Sequence, residues 1–307
     1  MSRQILLLTH TGRSEALESA QAVRQMLALD GLIPVMFAKE SEELDVALGK
    51  GPSATRLLHD DDLPEALDDI ELVMVLGGDG TILRAAEYVR GSQAPLLGVN
   101  LGHVGFLAES EREDLALAVH KVAANDYRVE ERMTLDVVVT VDDEVIARTW
   151  AVNEATVEKA SRERMLELVL EVDGRPLSTF GCDGVVMATP TGSTAYAFSA
   201  GGPVVWPEVE ALLMVPLSAH ALFARPVVVG PSSTLAVEVL DRTDGSGVLW
   251  CDGRRTVELP PGARIEVSRS AVPIRLARLS QGPFTDRLVA KFQLPVTGWR
   301  GPGDAHD

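Results

Sequence analysis

The stretch Gly77-Gly78-Asp79-Gly80-Thr81 follows an apolar run and precedes the first turns of an expected helix. Glycine lets backbone N–H groups approach a ligand closely, and a helix that begins directly afterwards adds a partial positive charge. This design suits phosphate, although it is neither a P-loop, which needs a lysine, nor the G-x-G-x-x-G fingerprint. A carboxylate among such amides repels phosphate unless it has a task, such as accepting a hydrogen bond from an attacking hydroxyl or touching a magnesium ion. The alternative is a tight turn in which Asp79 only caps the helix at Thr81.

The hydroxyl-rich stretch 182–203, CDGVVMATPTGSTAYAFSAGGP, is a second candidate. Threonine and serine side chains crowd around Gly192, and a short helix is expected next, with Ser193 or Thr194 as its N-cap. Small residues let a planar ligand lie close, and Tyr196 offers both a ring and a hydroxyl. The stretch therefore suits a nucleoside. The alternative is a Ser/Thr-rich loop of a β domain.

The pair Asn153-Glu154, at the expected end of a strand, is the third candidate. An amide and a carboxylate placed there can grip the ribose or base of a ligand. A local basic cluster follows in Lys159, Arg162 and Arg164. The alternative is a solvated hairpin.

The charge balance limits the partners of the chain. Its 28 Lys and Arg against 45 Asp and Glu give a net charge of −17, which disfavours binding to nucleic acid or an anionic membrane. An apolar content of 46% indicates a globular protein, and no apolar stretch reaches the length that crosses a bilayer. The start of the chain lacks a signal-peptide pattern, so a cytoplasmic location is expected. Two cysteines outside any C-x-x-C pair and scattered histidines predict no zinc site or structural metal.

The first third of the chain alternates between strands and helices. Strands are expected at QILLLTH, IPVMFA, ELVMVL and APLLGVN, and helices at 14–31, after GGDG through Arg90, and in EREDLALAVHKVAAND. A loop rich in Gly, Asp and Pro is expected between IPVMFA and ELVMVL. This alternation predicts a mostly parallel sheet flanked by helices. The loops THTGR, GGDG and NLGHVGF should then share the edge at which such sheets bind ligands.

The hydrophobic period changes near Tyr127. From Arg128 to about Leu279 the segments alternate apolar and polar residues, with an interruption around Gly192 to Pro216. This pattern predicts mainly antiparallel β-structure, with a hairpin turn at Asp173-Gly174. A short helix capped near Thr285 and ending before Pro295 is expected at the C-terminus.

Taken together, GGDGT, Asn153-Glu154 and TPTGSTAYAFSAGGP (189–203) resemble the NAD kinase family, in an actinobacterial-type member. The resemblance runs over nearly the whole chain, through NLGHVGFLAE, FGCDGV and FTDRLVAKFQLPVTGWRG. GGDG alone is weakly specific, since phosphofructokinases and diacylglycerol or sphingosine-type lipid kinases have similar turns. The long TPTG run is the specific mark.

The resemblance implies phosphorylation of the 2′-hydroxyl on the adenosine ribose of NAD by ATP, or by inorganic polyphosphate, to give NADP. Magnesium is implied as a companion of the ATP phosphates. The implied NAD kinase-like fold has an α/β N-terminal domain with a mostly parallel sheet and a C-terminal all-β, antiparallel domain. The corresponding bounds are 1–126 with 280–307, and 127–279 for the dinucleotide-binding β domain. A homodimer or homotetramer is implied, with no nucleic-acid or membrane partner.

The resemblance also implies roles for individual residues. Asp79 is the catalytic proton acceptor that orients the 2′-hydroxyl, and no protein-held metal is expected. The remaining residues expected to bind the nucleotides are Gly80, Arg84, Asn153, Glu154, Arg164, Asp183, Thr194, Ala195, Tyr196, Ala197, Phe198 and Ser199.

The sequence disfavours two other functions. A lipid kinase needs an apolar or basic face toward the membrane, which the acidic composition opposes. A dinucleotide-binding regulator that lost its chemistry is disfavoured by the intact Asp79 in GGDGT.

Overall fold

The computed structural model of the chain describes residues 3–9, 12, 14–59, 62–101, 105–111, 114–161, 165–242, 246–280 and 282–296. The chain divides into two compact units: unit 1 is Met1–Glu131 with Arg275–Asp307, and unit 2 is Arg132–Ile274. The domain boundaries expected from the sequence, at 126/127 and 279/280, stay a prediction.

The elements are numbered along the chain. The first part forms β1 (Gln4–Thr9), α1 (Ser14–Leu29), β2 (Ile33–Phe37), α2 (Ala38–Leu48), β3 (Arg56–Leu58), α3 (Leu63–Ala66), β4 (Ile70–Leu76), α4 (Asp79–Val89), β5 (Leu96–Asn100), β6 (Ser110–Glu111), α5 (Leu115–Ala123) and β7 (Arg128–Arg132). The middle forms β8 (Leu135–Val141), β9 (Glu144–Ala151), β10 (Glu154–Lys159), β11 (Leu166–Val172), β12 (Arg175–Cys182), β13 (Gly184–Ala188), α6 (Tyr196–Ser199), β14 (Leu212–Leu217), β15 (Val227–Val229), β16 (Leu235–Val239), β17 (Gly247–Cys251), β18 (Arg255–Leu259) and β19 (Arg264–Arg269). The chain ends with β20 (Ile274–Arg278) and α7 (Phe284–Phe292).

Unit 1 is built on an eight-stranded sheet in the order β3-β2-β1-β4-β5-β20-β7, with β6 beside β5. The pairings of β1 with β2 and β4, and of β5 with β4, are parallel. Six of the seven residues of β4 are buried, as expected for a strand whose sheet is covered on both faces. The predicted α/β fold with a mostly parallel sheet is confirmed for this part of the chain.

The loop predicted between β2 and β4 is wrong, because α2, β3 and α3 occupy much of it. The sequence of α2, AKESEELDVAL, is rich in strong helix formers but buries only Ser41 and Leu44. Val46 on the same helix is 84% exposed. With so thin an apolar stripe, the helical period that a sequence argument relies on is nearly absent.

Strand β20 also departs from the prediction, because its sequence was expected to continue the antiparallel β-structure. It instead joins the sheet of unit 1, where Leu276 pairs in parallel with Leu96. Its two arginines, Arg275 and Arg278, give the short sequence IRLAR the polarity of a half-exposed strand. Arg278, however, is only 4% exposed, because its guanidinium pairs with Glu109 and Glu130. Strand β20 is therefore buried even though its sequence contains a charged residue.

Helix α7 confirms the predicted C-terminal helix but not its cap. It begins at Phe284, and Pro283 precedes it without a side-chain cap, so Thr285 lies inside the first turn. The helix ends where Gln293 adopts a left-handed conformation, with φ of 50°. No helix within the described ranges is long and apolar enough to cross a membrane.

Unit 2 consists of two six-stranded sheets, in the orders β15-β14-β13-β10-β17-β18 and β12-β11-β16-β19-β8-β9. Neighbouring strands in both sheets pair antiparallel, which confirms the predicted antiparallel C-terminal part. Residues of both sheets bury their side chains in one core, among them Val157, Met187, Leu168 and Ile265. In β8, β11 and β19, buried residues alternate with more accessible ones, as the sequence pattern indicated.

The hairpin between β11 and β12 turns through Asp173 and Gly174, with φ of 54° and 71°. We expect Gly174→Ala to lower the free energy of unfolding by about 1 kcal/mol, because a Cβ disfavours positive φ. Gly230→Ala is the matched control, since Gly230 is not among the positive-φ glycines and a Cβ there meets open space. Urea denaturation of both variants measures the difference, and equal effects would contradict the assignment of strain to this turn.

Candidate functional site

Asp79 is the first residue of α4, and Gly78 before it provides no side-chain cap. The Asp79 carboxylate does not cap its own helix. Its two oxygens accept hydrogen bonds from the backbone N–H groups of Phe106 and Leu107, each at 3.1 Å. A Cβ on Gly105 would lie 2.4 Å from an Asp79 oxygen, so only glycine lets this loop approach so closely. The capping alternative for Asp79 is therefore excluded by the geometry.

The glycines around Asp79 serve two purposes. Gly77 is buried, donates its N–H to the Val99 carbonyl at 2.9 Å, and has no room for a Cβ, which would lie 2.5 Å from the Thr81 hydroxyl. Gly78 and Gly80 are exposed, with open space where a Cβ would be. The first glycine thus packs the turn, whereas the other two leave its outer edge open to a ligand.

Arg84, one turn further along α4, is held by two other elements of unit 1. Its guanidinium donates to the Thr9 carbonyl at 2.7 Å, at the end of β1, and pairs with Glu40 of α2 at 3.3 Å. The end of β1 therefore contacts α4, as predicted for the loops at the ligand-binding edge of the sheet. Glu40 offsets part of the arginine charge. This partner was not predicted, because the segment that forms α2 was expected to be a loop.

In unit 2, Asn153 lies between β9 and β10, and Glu154 is the first residue of β10. The pair therefore stands at the start of a strand rather than at the end of one, which corrects the prediction. Both side chains are buried. The Asp252 carboxylate accepts the backbone N–H groups of Val152 at 3.0 Å and Asn153 at 2.7 Å. The Asn153 Oδ1 atom is buried and finds no hydrogen-bond partner in the described part of the chain. An acceptor in that state is available to a ligand donor.

The segment that begins at Thr189 is anchored to this pair. The Thr189 N–H donates to the Asn153 carbonyl at 2.9 Å, and its hydroxyl donates to the Val152 carbonyl at 2.7 Å. A Cβ on Gly192 would lie 2.0 Å from the Asn153 carbonyl oxygen. The structure thus brings together two of the three stretches singled out in the sequence, and the glycine allows the close approach.

The predicted N-cap of the short helix is wrong. Ala195 precedes α6 without a side-chain cap, while Ser193 and Thr194 belong to a preceding 3-10 turn. The Ser193 hydroxyl instead donates to the Pro190 carbonyl at 2.6 Å and accepts the Val205 N–H at 2.9 Å. Ser193 therefore links the two sides of the loop and does not cap α6.

Five of the six residues 194–199 are accessible to a ligand, and one is not. Tyr196 and Phe198 are each 40% exposed, Ser199 is exposed, and Thr194 and Ala195 are half-buried. The Ala197 side chain is fully buried in an apolar cluster with Val186, Ala188, Leu213 and Val215. Ala197 therefore offers no side-chain surface to a ligand, and its predicted part in binding the nucleotide stays a prediction.

Asp183 lies between β12 and β13 and is paired rather than free. Lys159 contacts it at 2.5 Å. Hydrogen bonds from Lys159 and Ser218 lower the pKa of the Asp183 carboxyl, so it stays ionised. Arg164, expected near phosphate, lies outside the described residues.

A concave site of about 280 Å³ lies on unit 2, lined by Glu154, Thr156, Glu158, Tyr196, Trp250, Asp252 and Gly253. Burial raises the pKa of Glu154 to about 8, and the neighbouring Asp252 adds to the shift. Burial also raises the pKa of Asp252, against hydrogen bonds from Val152, Asn153 and Arg255. Asp252 and Trp250 are not among the site residues predicted from the sequence. The Asp252-Gly253 dipeptide after GVLWC is a hairpin signal that could have placed Asp252 in a turn, but not beside Asn153.

Glu154 makes the stability of the protein depend on pH. A carboxyl whose folded-state pKa is raised stabilises the fold below its unfolded value of 4.5, and this contribution is lost as the pH rises to about 8. We expect Glu154→Gln to stabilise the protein at pH 8 by on the order of a few kcal/mol relative to its effect at pH 4.5.

Chemical denaturation at both pH values measures the effect of Glu154→Gln. Glu158→Gln, which removes a carboxyl from the same site, is the control for the loss of one negative charge there. Equal pH dependence of the wild-type and Glu154→Gln proteins would show that Glu154 is not held in a neutral form.

Residues 5–127 match the ATP-NAD kinase N-terminal domain, and residues 152–279 match the ATP-NAD kinase C-terminal domain. The chain is 63% identical over 300 residues to the NAD kinase of Leifsonia xyli subsp. xyli, covering 98% of this chain and 97% of that protein. It is 62% identical over 301 residues to NAD kinase 2 of Streptomyces avermitilis, with coverage of 98% and 97%.

Two solved structures share the fold. A yeast NADH kinase in complex with NADH gives a TM-score of 0.85 at 23% identity, covering 96% of this chain and 89% of that one. An NAD kinase from Archaeoglobus fulgidus in complex with ATP gives a TM-score of 0.70 at 24% identity, covering 95% and 99%. With both domain matches and relatives at 63% and 62% identity, the chain belongs to the NAD kinase family.

Proposed function

We propose that this phosphotransferase, which converts NAD to NADP, moves the terminal phosphoryl group of ATP onto the 2′-hydroxyl of the adenosine ribose. The hydroxyl oxygen forms a bond to the γ-phosphorus, the bond to the β–γ bridging oxygen breaks, and ADP leaves. The hydroxyl proton passes to Asp79 and then to solvent. The observation that carries the proposal is the placement of the Asp79 carboxylate at the first residue of α4, in the glycine-rich turn.

Asp79 is suited to orient a hydroxyl. A carboxylate offers about four lone-pair directions, and the N–H groups of Phe106 and Leu107 use one on each oxygen. The remaining capacity lets Asp79 accept the hydrogen bond of the attacking hydroxyl while its position stays fixed. Phosphoryl transfer depends mainly on positioning and charge stabilisation, so a strong base is not required.

The start of α4 is the proposed place for phosphate. The 11-residue helix directs the positive end of its dipole toward the turn, and the open edge at Gly78 and Gly80 leaves backbone amides accessible. Arg84 is proposed to support this charge, reduced by its pairing with Glu40.

Asn153, Glu154 and the exposed face of Tyr196 are proposed to hold the dinucleotide. The unpartnered Asn153 Oδ1 can accept from a ribose hydroxyl or a base amine. With a pKa of about 8, Glu154 is largely protonated at neutral pH, so it can donate a hydrogen bond and does not repel the pyrophosphate. Tyr196 presents a ring on which an adenine can stack.

Magnesium is proposed to arrive with ATP, as part of the nucleotide substrate, where it neutralises the phosphates in place of the P-loop lysine. No group of three or more His, Cys, Asp and Glu suited to a metal ion occurs among the described residues. Inorganic polyphosphate is proposed as a second donor. A matrix of ATP and polyphosphate against NAD and NADH, with NADP or NADPH measured as product, tests the donor and acceptor range directly.

We further infer a homo-oligomer located in the cytoplasm. Large apolar side chains remain exposed on unit 2, including Leu222 at 111%, Phe223 at 56% and Val228 at 48%. Such a surface suits contact with a second copy of the chain. Cys182 and Cys251 are both free and buried, as is usual in a reducing compartment.

Asp79→Asn tests the catalytic proposal. We expect the rate of NADP formation to fall roughly 100- to 10,000-fold, because the variant loses the negative charge that accepts the proton, while NAD binding is largely kept. NADP formation and the dissociation constant of NAD are the two measurements. Asp126→Asn, which neutralises an exposed carboxylate of unit 1, should be as active as the wild type. Undiminished NADP formation by Asp79→Asn would refute the role of Asp79.

Asn153→Ala tests the dinucleotide site. Loss of the buried acceptor should raise the KM for NAD about tenfold or more, with a smaller effect on kcat, because hydrogen bonds to a ligand contribute about 1–3 kcal/mol. Asn125→Gly removes an exposed amide at a positive φ that glycine also tolerates, and serves as the control. An unchanged KM for Asn153→Ala would place the dinucleotide elsewhere.

A further inference from the structure

We propose that Arg287 of α7 is a positioning residue for the Asp79 carboxylate, and that Glu109 holds Arg287 in place for this task. The proposal rests on the catalytic role proposed for Asp79. All the contacts that carry it lie within unit 1.

Arg287 fixes the backbone that binds Asp79. Its Nη1 atom donates to the Phe106 carbonyl at 3.1 Å and to the Ala108 carbonyl at 2.8 Å. The Phe106 carbonyl and the Leu107 N–H belong to the same peptide group, which is planar and trans. In a trans peptide these two groups point in opposite directions. By holding the carbonyl, Arg287 therefore aims the Leu107 N–H at the Asp79 carboxylate, which accepts it at 3.1 Å.

Glu109 immobilises the guanidinium. The Glu109 side chain is fully buried and pairs with both Arg287 and Arg278. Its other oxygen accepts the N–H groups of Leu279 at 3.1 Å and Ser280 at 2.9 Å. Burial alone would raise the pKa of Glu109, but the charges of Arg287 and Arg278 outweigh it and lower the pKa. The carboxylate thus stays ionised at neutral pH, and the arginine has a fixed partner.

Aromatic packing ties the same helix to the same loop. The Phe106 ring lies 5.8 Å from the rings of both Phe284 and Phe292, at the two ends of α7. Helix α7 thus contacts the loop through Phe106 as well as through Arg287. A sequence segment about 200 residues after Asp79 sets the direction of one of the two hydrogen bonds that hold the carboxylate.

Arg287→Lys is the decisive variant. Lysine keeps the positive charge beside Glu109, but its single ammonium cannot reproduce the fork that joins Glu109 to two backbone carbonyls. We expect kcat to fall at least about tenfold, because misplacing a catalytic group by about 1 Å can cost 100-fold. The dissociation constant of NAD should change less than about twofold, since the proposed dinucleotide residues lie in unit 2. A merely structural role would instead lower the number of NAD sites per chain and leave kcat per site unchanged.

The experiment compares kcat per NAD-binding site, the dissociation constant of NAD and the melting temperature for four full-length proteins. These are the wild type, Arg287→Lys, Glu109→Gln and Arg275→Lys. Glu109→Gln should lower kcat in the same direction by a smaller factor, and it tests the proposal if Arg287→Lys fails to fold. Arg275 pairs with Glu131 and Gln93, and none of its hydrogen bonds or ion pairs in the described part of the chain involves residues 105–109, so its variant should match the wild type.

Asp79→Asn, assayed in parallel, separates the two hypotheses. If Asp79→Asn forms NADP as fast as the wild type, the proposed function of Asp79 fails. If Asp79→Asn is inactive while Arg287→Lys and Glu109→Gln keep the wild-type kcat per site, only the positioning role of Arg287 is overturned. A rise in the dissociation constant of NAD with unchanged kcat would overturn it as well.

Discussion

Unit 1 is organised around a carboxylate held by amides. The Asp79 oxygens accept the N–H groups of Phe106 and Leu107, and this contact joins the start of α4 to the loop after β5. Asp79 follows β4 at the edge of the sheet, and Gly105, which has no side chain, leaves room for its carboxylate. Arg287 of α7 donates a hydrogen bond to the same loop. Because each partner comes from a different part of the chain, the position of this charge depends on the whole α/β fold being formed. A freely rotating aspartate on a flexible turn would not present one lone pair to a hydroxyl.

In unit 2, three carboxyl groups are hydrogen-bonded, protonated or paired with a cation. The Asp252 carboxylate accepts hydrogen bonds from backbone N–H groups and from Arg255. Glu154 is buried beside it, with its pKa raised to about 8. Asp183 is paired with Lys159. A chain with a net charge of −17 that binds polyanionic nucleotides must limit repulsion where they bind. At the proposed dinucleotide site, the raised pKa of Glu154, the pairing of Asp183 with Lys159 and the hydrogen bonds to Asp252 all reduce this repulsion.

The sequence could predict the elements whose apolar period is strong and the motifs whose residues are contiguous. Strands β1, β4 and β5, helices α1 and α4, the β-rich middle of the chain and the Asp173-Gly174 turn follow from such patterns. It could not predict α2, whose apolar stripe is too thin, or the place of β20, whose buried Arg278 imitates a polar position.

The long-range partners of the site were beyond the reach of the sequence for a related reason. Nothing local connects Asp252 to Asn153, or Arg287 to Phe106, because hydrogen bonds between segments about 100 and 180 residues apart leave no trace in spacing. Ala197 shows the converse case: it stands within a run assigned to the nucleotide, yet its methyl group faces the core, since only some residues of any short helix can face a ligand.

A crystal structure of the protein with NAD bound measures the central quantity directly, the distance from an Asp79 carboxylate oxygen to the 2′-oxygen of the adenosine ribose. We predict about 2.7 Å, within hydrogen-bond range, with the carboxylate still bound to the N–H groups of Phe106 and Leu107. A 2′-oxygen beyond about 5 Å, with no water bridging the two groups, would contradict the account.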